Sequence, residues 1–442
     1  MSMRGRAALF PIAAALIAAC SGEAAPSPTR SALVTSPGAR TSPTATSRGL
    51  DAPLAARAIL KRHWFTLPDQ FSAEPAAIVA EFDADPSPGT PVARLRPSGR
   101  EAPLVTPVSL NAFGANIDLH GLTPGTYAIE IVEHLRSGGE AIVATAEILV
   151  SQPEYVVWTL DFEGDAASDA ALAATAAIAD GLHVPMTVMW NPRVWTTTDV
   201  APARSSTMQA WTMSRAAKGD EVALHLHAWA DFVRASGVTP RTAPNWSGRS
   251  DGYDVPLTAF DERETRALID TALALMADHG MPLPSTFRAG GLFANAANLR
   301  AVAAAGFTVD TSATPAGGFG RLVLPWTLAR DAQPYRPSRD DANKPGDLPL
   351  LEVPNIAGNT FALDARTIRS VIAADLAMLA PAGQVATERR ALTLVSHPGT
   401  IDATERAAIE ALFDALLPYR YDKDSGPLRF VTAAQLARAY AN

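Results

Sequence analysis

From residue 153 onward, strand-like runs alternate with helical stretches, and this alternation constrains the fold more than any other feature of the chain. The runs fall at 155–160, 185–189, 221–226, 286–288, 307–310, 350–353, 392–396 and 429–431. Helical patterns lie between and after them, near 168–181, 201–217, 259–279, 295–305, 364–380, 402–416 and 432–441. Gly280 supplies a stop signal for the third. Repeated strand–helix units predict a parallel sheet with helices outside. Seven or eight such units can close into a barrel, and barrel enzymes carry their chemistry at the C-terminal strand ends.

The 442 residues exceed one ordinary core. Residues 53–152 read as a small all-β sandwich, because short β-rich runs are separated by turns such as Leu122-Thr-Pro-Gly125. The segment Leu119 to Val132 looks like the late hairpin of an immunoglobulin-like or fibronectin-like domain. His120 and His134 read as surface histidines there, and His183, after a helix, as structural. Residues 21–52 are rich in Ser, Thr, Pro, Ala and Gly and read as a disordered tether. Ahead of them, Arg4 and Arg6 precede an apolar run at 7–19, the layout of an export signal. The only cysteine, Cys20, closes Ile17-Ala-Ala-Cys20, which resembles a bacterial lipobox; the resemblance implies lipidation at Cys20 and a membrane anchor facing the periplasm or exterior. Ser21 is compatible with outer-membrane sorting. A net charge of −8 argues against a nucleic-acid partner. Oligomeric state is not legible.

The candidate chemistry falls at strand ends. In Gly219-Asp-Glu-Val-Ala-Leu-His-Leu-His-Ala-Trp229, residues two apart share a strand face, so His225 and His227 lie together. Two such imidazoles can close on one metal ion. The run Trp158-Thr-Leu-Asp-Phe-Glu-Gly-Asp165 puts Asp161, Glu163 and Asp165 on one face if it stays extended. Further strand ends carry Arg288, in Phe287-Arg-Ala-Gly-Gly291, and His397, in Leu392-Thr-Leu-Val-Ser-His-Pro398; Glu352-Val-Pro-Asn355 ends another. Trp229 and Trp246 are the tryptophans expected to wall a sugar-binding cleft, with core packing as the alternative. The loop 233–256 is long enough to shape that cleft.

On these motifs, residues from about 154 to 436 resemble the polysaccharide deacetylases, the NodB-like or family-four carbohydrate esterases. Asp161-Phe-Glu-Gly-Asp165 resembles the first motif in its D-x-D or D-x-E form. His225 opens the metal-binding histidine motif. Phe287-Arg-Ala-Gly-Gly-Leu-Phe293 resembles the arginine motif, Thr308-Val-Asp-Thr-Ser-Ala-Thr-Pro315 the strand and loop after it, and Val395-Ser-His397 the last motif. The resemblance implies a distorted (β/α) barrel and hydrolysis of N- or O-acetyl groups on a glycan with one divalent metal, zinc being the expected ion. The common pattern has its second histidine four after the first, where this chain has Trp229; branches reading H-L-H-P-W place it at His227. The implied metal ligands are His225, His227 and Glu163, with Asp165 as the alternative to Glu163 for the carboxylate. Asp161 is the implied general base, His397 the general acid, and Arg288 the residue that orients Asp161.

Two further readings stay open. One is a glycosidase using Asp161 with a second carboxylate and no metal. The other is an envelope glycan-binding protein on a barrel that has lost its metal.

Overall fold

The computed structural model describes residues 52–67, 75–86, 91–135, 137–361 and 363–441. The signal, Cys20 and the tether through residue 51 lie outside the described residues. Among those residues no helix is long and apolar enough to cross a membrane.

The N-terminal part holds two sheets. One is antiparallel, in the order Ala56–Leu60, Ala76–Phe82, Ala112–Ile117, Thr106–Ser109. The other runs Trp64–Thr66, Glu140–Ser151, Gly125–His134, Val92–Arg96, Arg100–Pro103, parallel only in its first pair. Period-two burial is clear in Ala76–Phe82, where Ala76, Ile78, Ala80 and Phe82 point inward. They meet Leu95, Ile129, Ile131, Ile148 and Val150 of the second sheet in one core, so the two sheets form a sandwich.

The remainder is built on eight parallel strands. Their order is Leu351–Glu352, Val309–Asp310, Thr286–Ala289, Glu221–Leu226, Met186–Trp190, Glu154–Asp161, Arg390–Ser396, and Leu428–Val431 pairs beside the first half of Glu154–Asp161. Every residue of Glu154–Asp161 is buried, as a strand covered on both faces must be. The helices pack outside; Asp261 and Glu264 close a capping box on Glu262–Asp278, and Asp402 caps Ala403–Leu416.

The two edges of this sheet are joined by irregular backbone. Val353 N–H donates to Asp310 O at 2.8 Å and Asn355 N–H to Ala313 O at 2.8 Å. A few residues on, Ala357 N–H donates to Thr393 O at 3.1 Å and Thr360 N–H to Val395 O at 2.8 Å. Segment 353–360 thus crosses from one edge strand to the other and completes a distorted (β/α) barrel. The sandwich meets the barrel at the N-terminal strand ends. There Asp424 accepts the backbone N–H groups of His63 at 2.9 Å and Trp64 at 2.8 Å, and Ala386 N–H donates to Ser151 Oγ at 2.7 Å. The C-terminal strand ends form the opposite pole.

Candidate metal centre

Parallel register brings the polar strand ends to one rim. His225 pairs with Arg288 across neighbouring strands, and Leu160 with Ser396, one residue before His397. His225 and His227 have ring centroids 4.7 Å apart at 88°. Their intervening neighbours, Leu224 and Leu226, pack into the hydrophobic core, as alternation requires.

Glu163 stands between the imidazoles. Its Oε2 lies 2.5 Å from His227 Nε2, and its Oε1 lies 3.7 Å from His225 Nε2 and 3.2 Å from His397 Nε2. Asp161 Oδ2 lies 3.9 Å from His225 Nε2. Ligand atoms of Glu163, His225 and His227 all fall within 4.8 Å of one another, as do those of Asp161, Glu163 and His397.

Electrostatics follow from one carboxylate among three imidazoles. Burial alone would raise the Glu163 pKa, but the charge of His227 and the neighbouring imidazoles of His225, His227 and His397 hold it well below the carboxylate range. Burial likewise opposes protonation of His227 and His397, yet Glu163 outweighs it and raises both.

Arg288 is fully buried and spends every donor. Its Nη1 donates to Asp161 Oδ1 at 2.6 Å and Thr159 Oγ1 at 2.7 Å. Its Nη2 donates to Asn355 Oδ1 at 2.6 Å and Thr311 Oγ1 at 2.8 Å, and its Nε to Thr311 O at 2.9 Å. One oxygen of Asp161 is therefore fixed and the other faces the histidines. The Arg288 carbonyl lies 3.2 Å from His225 Nδ1, which leaves Nε2 for the site. Behind Arg288, Glu352 and Asp310 are paired across adjacent strands and fully buried. Burial first, and then the charge of Asp310, pushes the Glu352 carboxyl well up.

The residues fit a divalent ion. His225 Nε2 is buried and reaches no hydrogen-bond partner within the protein, its nearest carboxylate oxygens lying 3.7 and 3.9 Å away, although buried polar atoms rarely stay unsatisfied. Two imidazoles and one carboxylate are a donor set that suits zinc.

Two expectations change. Asp165 does not join the ligands. Gly164 adopts a left-handed φ of +86°, which breaks the extended run, and Asp165 turns away to Arg193 Nη1 at 2.9 Å. Trp229 and Trp246 offer no open wall: they are 6% and 8% exposed. Trp229 packs 4.9 Å from the His227 ring and Trp246 6.0 Å from it, while Trp246 stacks on Phe293 at 5.4 Å. Both indoles pack against His227.

Sequence reasoning missed Thr159, Thr311, Gly290 and Arg193. An ideal Cβ on Gly290 would lie 2.6 Å from His227 Nδ1, so only glycine fits against that ring. Arg193 follows Trp190 at yet another C-terminal strand end, and that placement was the available signal.

No protein-family model and no curated protein matches the chain. Among solved structures it is similar to a protein of Mycobacterium smegmatis assigned as a polysaccharide deacetylase. That match has 18% identity, 64% of this chain and 89% of the other covered, and a TM-score of 0.41. It is also similar to a family 4 carbohydrate esterase from Streptomyces lividans in complex with acetate (12%, 60% and 88%, TM-score 0.32). A family 4 acetyl xylan esterase from Clostridium thermocellum in complex with a cobalt ion gives 12%, 64% and 89%, with a TM-score of 0.31. At TM-scores below 0.5 none of them decides what this chain does, which is left to its own side chains.

Proposed function

We propose that this chain is a metal-dependent hydrolase that removes N- or O-linked acetyl groups from a polysaccharide or related glycan. The observation that carries the reading is the convergence of Glu163, His225 and His227 within 4.8 Å, beside an Arg288-fixed Asp161. A glycosidase pair would not need a buried imidazole nitrogen without a hydrogen bond, which is what His225 Nε2 is.

Glu163, His225 and His227 would hold the ion, with zinc as the expected metal. When bound, it supplies polarisation of the acyl oxygen and acidification of water toward a pKa of about 7. Asp161 Oδ2, the oxygen not held by Arg288, takes the proton of the attacking water. The water oxygen forms a bond to the acyl carbon, and the C–N or C–O bond to the sugar breaks. His397 Nε2 gives its proton to the departing amine or alkoxide, and acetate is released. Arg288 keeps Asp161 aimed through its bond to Oδ1. Export and a lipid anchor at Cys20, supported by Arg4, Arg6 and the apolar run at 7–19, would place this chemistry at the cell envelope.

Asp161→Asn tests the assignment. Turnover of an acetylated glycan is expected to fall by roughly 10²–10⁴-fold, the usual worth of a general base, with one zinc still bound per chain. Loss of the zinc in this variant would contradict the role given to Asp161.

A further inference from the structure

Arg193 is fully buried on the turn Pro192–Trp195, outside the cluster described above. A buried guanidinium demands partners, and these come from four separate segments of the chain. Nη1 donates to Gly164 O at 2.9 Å and to Asp165 Oδ1 at 2.9 Å, both in the loop that carries Glu163. Nε donates to both oxygens of Asp231 at 2.9 Å, in the segment that follows His227 and Trp229. Nη2 donates to Asp199 Oδ2 and to the Tyr253 hydroxyl, each at 2.5 Å, and that hydroxyl donates in turn to Asp199 at 2.8 Å. The guanidinium also lies 4.4 Å from the centroid of the Trp229 ring, a cation–π distance, and Trp229 packs on the His227 ring.

We infer that Arg193 is a positioning residue for the metal centre: it fixes Glu163 through the Gly164 carbonyl and His227 through Trp229. The inference rests on the metal-dependent reading above. Two buried arginines then divide the site. Arg288 holds the proton-accepting carboxylate and, through its carbonyl, His225. Arg193 holds the other two ligands. One cation facing Asp165, Asp199 and Asp231 also keeps three carboxylates together at the rim. Removing it would let the loops separate and would swing Glu163 and His227 out of a common coordination sphere. Supporting residues of this kind alter metal affinity by about 10–100-fold.

The test is zinc affinity of the full chain, read by competition with a chromogenic chelator, beside the melting temperature of the metal-free protein. Arg193→Ala is expected to bind zinc about 10–100-fold more weakly. Arg193→Lys keeps the charge without the fork and should fall between it and wild type. Tyr253→Phe removes one acceptor from a partly exposed side chain and should weaken binding by roughly two- to tenfold, the equivalent of one hydrogen bond. A purely structural arginine would lower the melting temperature and leave zinc affinity of the folded variants unchanged; that result overturns the inference while the metal reading stands. Wild-type protein that binds no zinc overturns both. If Arg193→Ala does not fold, Arg193→Lys and Tyr253→Phe decide by the same criterion.

Discussion

At the scale of single residues, the site depends as much on what is missing as on what is present. Gly290 lacks a Cβ where one would lie 2.6 Å from Nδ1 and 2.7 Å from Cγ of His227. The ring cannot retreat, because Trp229 and Trp246 pack against it. Gly290→Ala is therefore expected to displace His227 and weaken zinc binding by at least about tenfold, with the fold retained. Calorimetric zinc titration checks this, and wild-type affinity would mean the ring has another place to go. The sequence made the histidine pair visible through strand alternation, since His225 and His227 are two apart. It could not separate Glu163 from Asp165 by the same rule. Alternation holds only while the backbone stays extended, and Gly164 ends that extension.

At the scale of elements, legibility follows periodicity. The buried strands and capped helices of the barrel stand out because their apolar residues recur with the period of the element. Segment 353–360 has no period: Pro354 and Gly358 interrupt it, and its bonds go first to Asp310 and Ala313 and then to Thr393 and Val395. Read from sequence, only its first residues register, as a strand end. In the fold it carries Asn355, whose Oδ1 accepts from Arg288 at 2.6 Å. The Asn355 Nδ2 donates to Thr311 O at 2.6 Å and Ala313 O at 2.9 Å. Asn355→Ala removes the acceptor of one buried Arg288 N–H, while Thr311 O keeps Arg288 Nε and Ala313 O keeps the backbone N–H of residue 355, and is expected to cost about 1–3 kcal/mol. It should also lower turnover, because Arg288 loses one of the contacts that aim it at Asp161. Urea denaturation alongside kinetics checks both. Unchanged turnover would mean that Thr159 and Thr311 suffice to hold Arg288.

At the scale of the whole molecule, the sandwich and the rim occupy opposite poles of the barrel, so the accessory sheets lie away from the reacting atoms. The junction between the two parts contains Glu154, wholly buried, whose Oε1 accepts from Ala380 N–H at 2.7 Å while Oε2 has no hydrogen-bond partner. Burial pushes its pKa up to about 7 from 4.5, against the opposing pull of the Ala380 N–H and Arg390. A carboxyl whose pKa is raised on folding favours the fold while protonated, and that advantage disappears as pH rises from about 4.5 through about 7. Glu154→Gln should therefore be more stable than wild type at pH 8, by up to about 3 kcal/mol, with the gap closing toward pH 4. Denaturation at the two pH values checks the sign; a variant less stable than wild type at pH 8 would contradict it. The central claim concerns the other pole. Its most direct test is acetate release from a panel of acetylated glycans by protein stripped with chelator and then re-supplied with zinc. The account predicts release that stops on stripping and returns with the metal. A folded protein that binds no divalent ion and releases no acetate under any metal would contradict it.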